Sequence, residues 1–339
     1  PVVDTAWRTR LSGGVRAHLE HEGRSASAAK TRMAVEKALS RFQAWVQATA
    51  SNPGKVQEIA GVRIQLLEAD PLLSAINATH MLTNEAAGRG GASTSANKKR
   101  GQVKRGLSKA TVYKELGFLN SFFIAMQNNL CFPSSVTLPT KDISPYKRGE
   151  KKRSVRKTRF LPFTSQELAK IFEPAAFGSQ RKPHEFWVPL LGLYTGARLD
   201  EICQLRLIDV QKHGKHIAIA ITDTDETKTK NKASERLVPL HEELLALGFT
   251  DYVADVRKLA GANGRLFPYL LQTVNGFADV PSEAFSRHLK AVGVKTPRKA
   301  FHSFRGTLNE AFTQAGVVEE ARSQMLGHAH DSINVTHYG

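Results

Sequence analysis

The sequence predicts a mainly helical α+β chain with two domains, the second of which carries a small antiparallel sheet. Three observations lead to this prediction. Apolar residues recur at helical spacing over much of the chain, two short segments alternate in the manner of strands, and a strongly basic segment at 147–159 separates the halves. The 339 residues suffice for two domains of ordinary size, each with its own core.

The first half is predicted to be built from helices. Residues 26–50 fit an amphipathic helix whose apolar face includes Met33, Leu39, Phe42 and Val46.

Residues 56–67 and 72–87 are predicted to be helical as well, and the Gly-, Ser- and Lys-rich segment 88–106 is predicted to be a loop. Ser108 is a favourable N-cap for a further helix. That helix carries an apolar stripe of Val112, Leu116, Leu119 and Phe123.

The segment KRGEKKRSVRKTR, at 147–159, holds eight basic residues and one acid. We interpret it as the boundary between the domains. A segment of this kind can be a solvated linker or a cationic strap across a phosphate backbone, and one segment can serve as both.

The second half begins with a helix that Thr164 or Ser165 caps, with Glu167 in its first turn. The segments HIAIAIT (216–222) and ERLVPL (235–240) alternate as strands do, and a long polar hairpin tip lies between them. The remainder of the chain is predicted to be mostly helical.

The net charge and composition of the chain restrict the kinds of molecule that it is expected to bind. Lysine and arginine number 48 against 31 acidic residues, a net charge of +17, which favours a polyanionic partner such as nucleic acid. The longest apolar run, at 186–197, is shorter than the roughly 18–20 residues that a membrane span needs. Cys131 and Cys203 form no CxxC pair, so we expect no zinc site, and a reducing compartment fits.

Several polar residues stand where a core alone would not place them. Arg198 follows a Thr-Gly-Ala turn, and His302 and Arg305 are three residues apart on a predicted helix, so they share a face. His328 follows Gly327, a predicted helix C-cap, and Tyr338 comes ten residues later. Each has an ordinary structural explanation when taken singly. Their order along the chain carries more information than any one of them.

This order resembles the tyrosine recombinase (phage integrase) family over residues 160–339. The motifs that carry the resemblance are YTGARLDEICQLRLIDV and HSFR, LGH and Tyr in sequence. The resemblance implies a helical SAM-like core-binding domain at 1–146, a basic linker at 147–159, and a DNA breaking-rejoining catalytic domain with a small antiparallel β-sheet at 160–339.

The resemblance also implies a role for each residue. Arg198 and Arg305 would hold the non-bridging oxygens of a DNA phosphodiester, because guanidiniums stay charged and offer planar forked donors. Either Glu201 or Asp200 would steady Arg198 before DNA binds. The remaining family roles are a nucleophile that forms a 3′-phosphotyrosyl bond, a general base, and a donor to the phosphate, which fall on Tyr338, His302 and His328.

The family uses a hairpin lysine as the general acid for the leaving 5′-oxygen. Lys228, Lys230 and Lys232 alternate in this region, and counting back from SERLVPL favours Lys230. Period-2 alternation places all three on one face of a regular strand, so spacing alone does not choose among them.

The function implied is site-specific DNA recombination or integration without metal, ATP or other cofactor, since the covalent intermediate keeps the phosphodiester energy. The implied partners are double-stranded DNA recombination sites, three further copies of the chain in a homotetramer, and an accessory directionality factor. The implied location is the bacterial cytoplasm, at the nucleoid. Two alternatives stay open: a type IB topoisomerase-like enzyme and a catalytically silent DNA-binding relic.

Overall fold

The computed structural model describes residues 9–24, 29–50, 56–59, 62–65, 67, 71, 73, 76, 81, 107–131, 134–179, 182–224 and 234–327. The chain divides into two compact units, 1–155 and 156–339, and the division falls inside the basic segment.

The first unit is built on three long helices: α1 (Leu11–Arg24), α2 (Ala29–Thr49) and α3 (Lys109–Asn128). Each of the three packs against the other two. The predicted helix at 26–50 is confirmed as α2, whereas α1 was not predicted. Ser108 caps α3 as predicted, because its side-chain oxygen accepts a hydrogen bond from the Thr111 N–H at 3.1 Å.

Burial of apolar faces holds these three helices together. The whole predicted stripe of α3 is buried in a core that is rich in large side chains, comprising Leu11, Val15, Leu39, Phe42, Val46, Val112, Leu116, Leu119, Phe122, Phe123 and Met126. An ion pair at 2.5 Å between Arg41 and Glu115 also joins α2 to α3.

The helix predicted at 56–67 is wrong. The structure has an antiparallel hairpin there, formed by β1 (Val56–Ile59) and β2 (Val62–Gln65). Two residues, Ala-Gly, separate the strands in the sequence, and a two-residue connection that contains glycine is typical of a tight hairpin. The β-branched residues on either side also favour strands. Most of the predicted helix at 72–87 and all of the predicted loop at 88–106 lie outside the described residues.

The basic segment contains a helix, α4 (Glu150–Thr158), which the sequence interpretation as a linker did not include. Glu150, its single acid, lies in the first turn, where it complements the helix dipole. Its carboxylate accepts hydrogen bonds from the Lys147 N–H at 2.9 Å and from Lys109 Nζ at 2.5 Å. One acidic residue at the right place therefore lets a strongly cationic stretch begin a helix.

The second unit has nine helices and one sheet within its described residues. The helices are α5 (Ser165–Ile171), α6 (Pro174–Phe177), α7 (Pro183–Thr195), α8 (Leu199–Cys203), α9 (Glu242–Ala246), α10 (Phe249–Ala260), α11 (Asp279–Ala291), α12 (Ser303–Gln314) and α13 (Glu319–Leu326). A 3₁₀ turn at Leu207–Asp209 precedes the sheet. Thr164, not Ser165, caps α5, and it forms a capping box with Glu167.

The sheet has three antiparallel strands in the order β3-β4-β5. They are β3 (Val210–His213), β4 (His216–Ile221) and β5 (Arg236–Pro239). The register pairs Ile219 of β4 with Val210 on one side and Val238 on the other. The two predicted strands are thus confirmed, and β3 was missed.

Helix α7 lies at the centre of the second unit, with α11 and α12 packed against it. It is apolar on most of its surface and buries Val188, Leu190 and Leu191. A helix that is apolar nearly all round is expected inside a core rather than at its edge. The turn that follows α7 carries Arg198.

In the described part of the chain, no helix combines the length and the apolar character that crossing a lipid bilayer requires.

We expect Phe123→Ala to lower the free energy of unfolding of the first unit by about 3–5 kcal/mol. The Phe123 ring is fully buried and contacts the Phe42 and Phe122 rings, with centroids 6.3 and 5.1 Å away. Urea titration followed by circular dichroism measures the loss. Ile124→Ala is the matched control, because the neighbouring Ile124 is 40% exposed. A similar loss in both variants would contradict the packing described here.

Candidate active site

The turn between α7 and α8 places Arg198. Gly196 ends α7 in the left-handed region, with φ at 61°. A Cβ at Gly196 would lie 2.6 Å from Cδ2 of Leu326 and 3.1 Å from Cδ2 of Leu308, closer than side chains approach each other. Glycine is therefore required at position 196 for two reasons, its backbone conformation and the close approach of the two leucine side chains. The turn directs the next two residues to the start of α8.

Arg198 stands at the N-cap of α8, and Glu201 holds it there. The Arg198 N–H donates to Glu201 Oε2 at 2.8 Å, and its Nη1 forms an ion pair with Glu201 Oε1. Nη1 also donates to Ser234 Oγ at 3.0 Å. About a quarter of the side chain, 26%, stays exposed. The guanidinium is thus neutralised on one side and open on another.

Of the two acids considered for steadying Arg198, the structure selects Glu201. Asp200 instead accepts a hydrogen bond from the Phe277 N–H at 2.7 Å. Burial raises the pKa of Asp200, although hydrogen bonds from the Phe277 and Ala278 backbone oppose the shift. Asp200 therefore anchors the loop that leads into α11.

The Glu201 side chain is almost completely buried and forms ion pairs with two arginines. Arg236 of β5 donates from Nη2 to Glu201 Oε2 at 2.8 Å. Burial alone would raise the pKa of this carboxyl, but the hydrogen bond and positive charge of Arg236, together with the hydrogen bonds from Arg198, outweigh burial and lower the pKa. Glu201 is consequently a fixed negative charge between Arg198 and Arg236.

Arg305 lies in the first turn of α12 and is buried, with 6% of its surface exposed. Its Nη1 donates to the Gly196 carbonyl at 3.0 Å, whereas the buried Nη2 has no hydrogen-bond partner among the described residues. Burial, followed by the nearby charges of Arg198 and Arg236, lowers the pKa of Arg305 to about 10. The Arg305 guanidinium therefore remains a cation at neutral pH, and its Nη2 is available to a partner from outside the described residues.

His302 stands at the N-cap of α12, three residues before Arg305, and is exposed. Its ring lies 5.7 Å from the Phe160 ring, centroid to centroid. The segment that carries Phe160 is fixed because the Leu161 N–H donates to the Arg298 carbonyl and Arg298 Nε donates to the Arg159 carbonyl, both at 2.9 Å.

His302 and Arg305 line an open pocket of about 440 Å³, which Phe160 and Leu326 also border.

The predicted residues Lys228, Lys230, Lys232, His328 and Tyr338 lie outside the described residues. The described residues end at Thr224, before the three lysines, and at Gly327, directly before His328. Helix α13 ends at Gly327, whose left-handed conformation confirms the predicted C-cap directly before His328.

The charges of the site favour an anion. Among the described residues, the three guanidiniums of Arg198, Arg236 and Arg305 are balanced by one carboxylate, that of Glu201. An excess of positive charge in a partly buried place is costly unless an anion joins it. Within the described ranges, no group of three or more His, Cys, Asp or Glu side chains is arranged to hold a metal ion. Arginine is the residue type best suited to a phosphate, because its donors are forked and permanently charged.

The sequence model of the phage integrase family matches residues 163–339, more than half of the chain. This chain belongs to the phage integrase family. The matched region contains Arg198, Arg236, His302 and Arg305. No curated protein matches this integrase-family chain in sequence.

Solved structures of tyrosine recombinases share its fold. A lambda integrase tetramer bound to a Holliday junction is 14% identical, with a TM-score of 0.61, over 98% of this chain and 81% of that one. XerH recombinase bound to difH substrate is 14% identical, with a TM-score of 0.59, over 98% and 86%. The Tn1549 transposon integrase in complex with transposon right-end DNA is 16% identical, with a TM-score of 0.56, over 98% and 95%.

Sequence reasoning did not single out Arg236. A signal was present, because period-2 alternation puts Arg236 on the same face of β5 as the buried Val238. An arginine that points into a core is rarely buried without a partner, so the pattern predicts a buried carboxylate nearby. The sequence does not reveal that the carboxylate is Glu201.

We expect Glu201→Gln to lower the free energy of unfolding by about 3 kcal/mol at pH 7, because it leaves buried guanidinium charge uncompensated. The pKa of Glu201 is lower in the folded chain than in the unfolded chain. Its stabilisation is therefore complete above the unfolded pKa and is lost as the pH falls through the folded pKa. The difference between the wild type and the variant should shrink correspondingly at acid pH in urea titrations.

Glu283→Gln is the matched control for this measurement. Glu283 pairs with Arg287 at 3.4 Å, but both side chains are more than 60% exposed, so the change should stay within about 0.5 kcal/mol. If Glu201→Gln is equally harmless, the buried carboxylate does not hold the site together.

Proposed function

We propose that this chain is a site-specific DNA recombinase that cuts and rejoins DNA through a covalent 3′-phosphotyrosine intermediate. One observation carries the proposal: Arg198 and Arg305 contribute to an excess of positive charge, and the buried Nη2 of Arg305 has no partner among the residues that the structure describes. A phosphodiester is an anion of suitable chemistry for both groups. Membership of the phage integrase family supports the same activity.

The two arginines would act on the transition state. A phosphodiester under attack gains a further negative charge on its non-bridging oxygens, and preorganised donors are most effective where charge develops. Arg198 would offer the exposed side of its guanidinium, and Arg305 would offer Nη2. Because Glu201 and the Gly196 carbonyl already orient these groups, little reorganisation is needed when DNA binds.

The remaining roles are proposed from the family pattern. The phenolic oxygen of Tyr338 would attack phosphorus, while His302 takes the phenolic proton and His328 donates to a non-bridging oxygen. The bond from phosphorus to the 5′-oxygen would break, and Lys230 would give that oxygen a proton. Reversal of the step with a new 5′-hydroxyl rejoins DNA, and neither metal nor ATP is consumed.

We also propose the wider organisation of the protein. Residues 1–146 would form a core-binding domain, 147–159 a basic connection along the phosphate backbone, and 160–339 the catalytic domain. Exchange between two duplexes requires four cleavages, so a homotetramer on paired sites, with an accessory directionality factor, is the assembly that we propose. The lambda integrase tetramer on a Holliday junction supports this assembly.

We expect the wild-type chain to form an SDS-resistant adduct with nicked duplexes in EDTA and without ATP, and Tyr338→Phe to form none. The nick traps the intermediate, because the short strand beyond it diffuses away after cleavage. The duplexes would be tiled across the DNA that flanks the encoding gene, and denaturing gels would measure the adduct. The variant loses a single oxygen, so unchanged gel-shift affinity is its internal control.

Three other outcomes have distinct meanings. An adduct that survives in Tyr338→Phe would contradict the proposed nucleophile. Gel-shift binding without any adduct would favour the DNA-binding relic. Relaxation of supercoiled DNA with little dependence on sequence would favour topoisomerase-like activity.

Lys230→Ala should slow cleavage by about 10²–10⁴-fold on ordinary DNA if Lys230 is the general acid. Sulfur in place of the 5′-bridging oxygen should restore most of the rate, since a thiolate leaves without first receiving a proton. Single-turnover cleavage measures both rates. Lys228→Ala and Lys232→Ala are the matched controls, and rescue by sulfur in one of them instead would move the role to that lysine.

A further inference from the structure

Arg236 joins three parts of the second unit through three separate donors. Its Nη2 donates to Glu201 of α8 at 2.8 Å, its Nη1 to the Ser234 carbonyl at 2.7 Å, and its Nε to the Met325 carbonyl of α13 at 2.9 Å. The planar fork of a guanidinium suits such an arrangement, and a lysine ammonium does not reproduce it.

Two of these contacts lead to Arg198. Arg236 bonds to the Glu201 carboxylate and to the Ser234 backbone carbonyl, and Arg198 Nη1 contacts the side chains of the same two residues. Arg236 thereby fixes both anchors of that guanidinium. If Arg236 were absent, Glu201 would lose one of its two cationic partners, and its full charge would face Arg198.

The third contact leads to the end of α13. Met325 is two residues before Gly327, and a Cβ at Gly327 would lie only 2.8 Å from Arg236 Nη1. The backbone at the end of α13 thus lies in direct contact with the Arg236 guanidinium. Residue 328, the predicted phosphate donor, follows immediately in the sequence.

Arg236 cannot itself be a main contact for DNA, because its side chain is only 3% exposed and all three of its nitrogens are engaged within the protein. We propose that Arg236 is a positioning residue that sets Arg198 for the scissile phosphate by holding Glu201, Ser234 and the end of α13 together. This inference rests on the proposed recombinase function. It assigns a role to a residue outside the predicted catalytic set.

The test compares two substrates. One is a nicked duplex with an ordinary scissile phosphodiester, and the other carries a methylphosphonate there, which removes the negative charge that Arg198 would meet. Single-turnover adduct formation would be measured for the wild type, Arg236→Met and Arg236→Lys on each. A double-mutant cycle between protein and substrate then isolates their coupling from general damage to the fold.

Arg236→Met should slow adduct formation by about 10²-fold on the phosphodiester, as expected for a mispositioned oxyanion donor. On the methylphosphonate the loss should fall below about 10-fold, since there is less charge to stabilise. Arg236→Lys should recover part of the rate on the phosphodiester, because lysine keeps the positive charge. The recovery should be incomplete, because lysine lacks the planar forked donors of a guanidinium. Gel-shift affinity should change little in either variant.

Arg206→Met is the matched control. Arg206 is a half-buried arginine that joins two loops by donating to the Asn263 carbonyl at 3.0 Å, a contact separate from the bonds that Glu201 forms with Arg198 and Arg236. It should lose little on either substrate.

Equal losses on both substrates for Arg236→Met would overturn the inference and leave a purely structural role. No loss would overturn it as well. In either case the wild type still forms the adduct, so the proposed function stands. Absence of a wild-type adduct would overturn the proposed function and, with it, this inference.

Discussion

A single buried carboxylate, that of Glu201, is the constraint on which the arrangement of the site depends. It lies between two guanidiniums, those of Arg198 and Arg236, and it holds each by a direct hydrogen bond. Two arginines this close would repel each other in a medium that screens charge poorly. The Glu201 carboxylate offsets this repulsion, so the two guanidiniums can lie close together. Burial of the carboxylate is in turn tolerable only because both guanidiniums are present. The net charge of the site and the positions of its side chains therefore depend on the same contacts.

The site is preorganised but not neutral. Arg305 adds a third cation, which burial and its two arginine neighbours make less basic, and no second carboxylate compensates it among the described residues. A fold that was optimised for stability alone would fill this place with apolar side chains. Under the proposed function, the uncompensated positive charge is a loss of stability in exchange for the binding of a phosphate, as is common where function and stability compete.

The sequence predicted much of this from periodicity and from the order of a few polar residues. The core stripe of α3, the capping box of α5, strands β4 and β5, and the placement of Arg198 after a glycine turn are confirmed. The hairpin β1–β2 differs from the predicted helix because a short apolar segment fits either a helix or a strand, and only the Ala-Gly dipeptide between the strands favours the hairpin. Which acid contacts Arg198 could not be predicted, since Asp200 and Glu201 are adjacent and only tertiary packing separates them. The roles of Lys230, His328 and Tyr338 stay predictions.

The contacts that assemble the site join residues that are far apart along the chain. Arg305 reaches back 109 positions to Gly196, and Arg236 reaches forward 89 positions to Met325. Closing such long loops is slow, and it requires that the intervening chain be synthesised and folded. During synthesis, a chain that has emerged from the ribosome only as far as the sheet has Arg198 but not Arg305. Under the proposed function, the chain would therefore become able to cut DNA only when its folding is nearly complete.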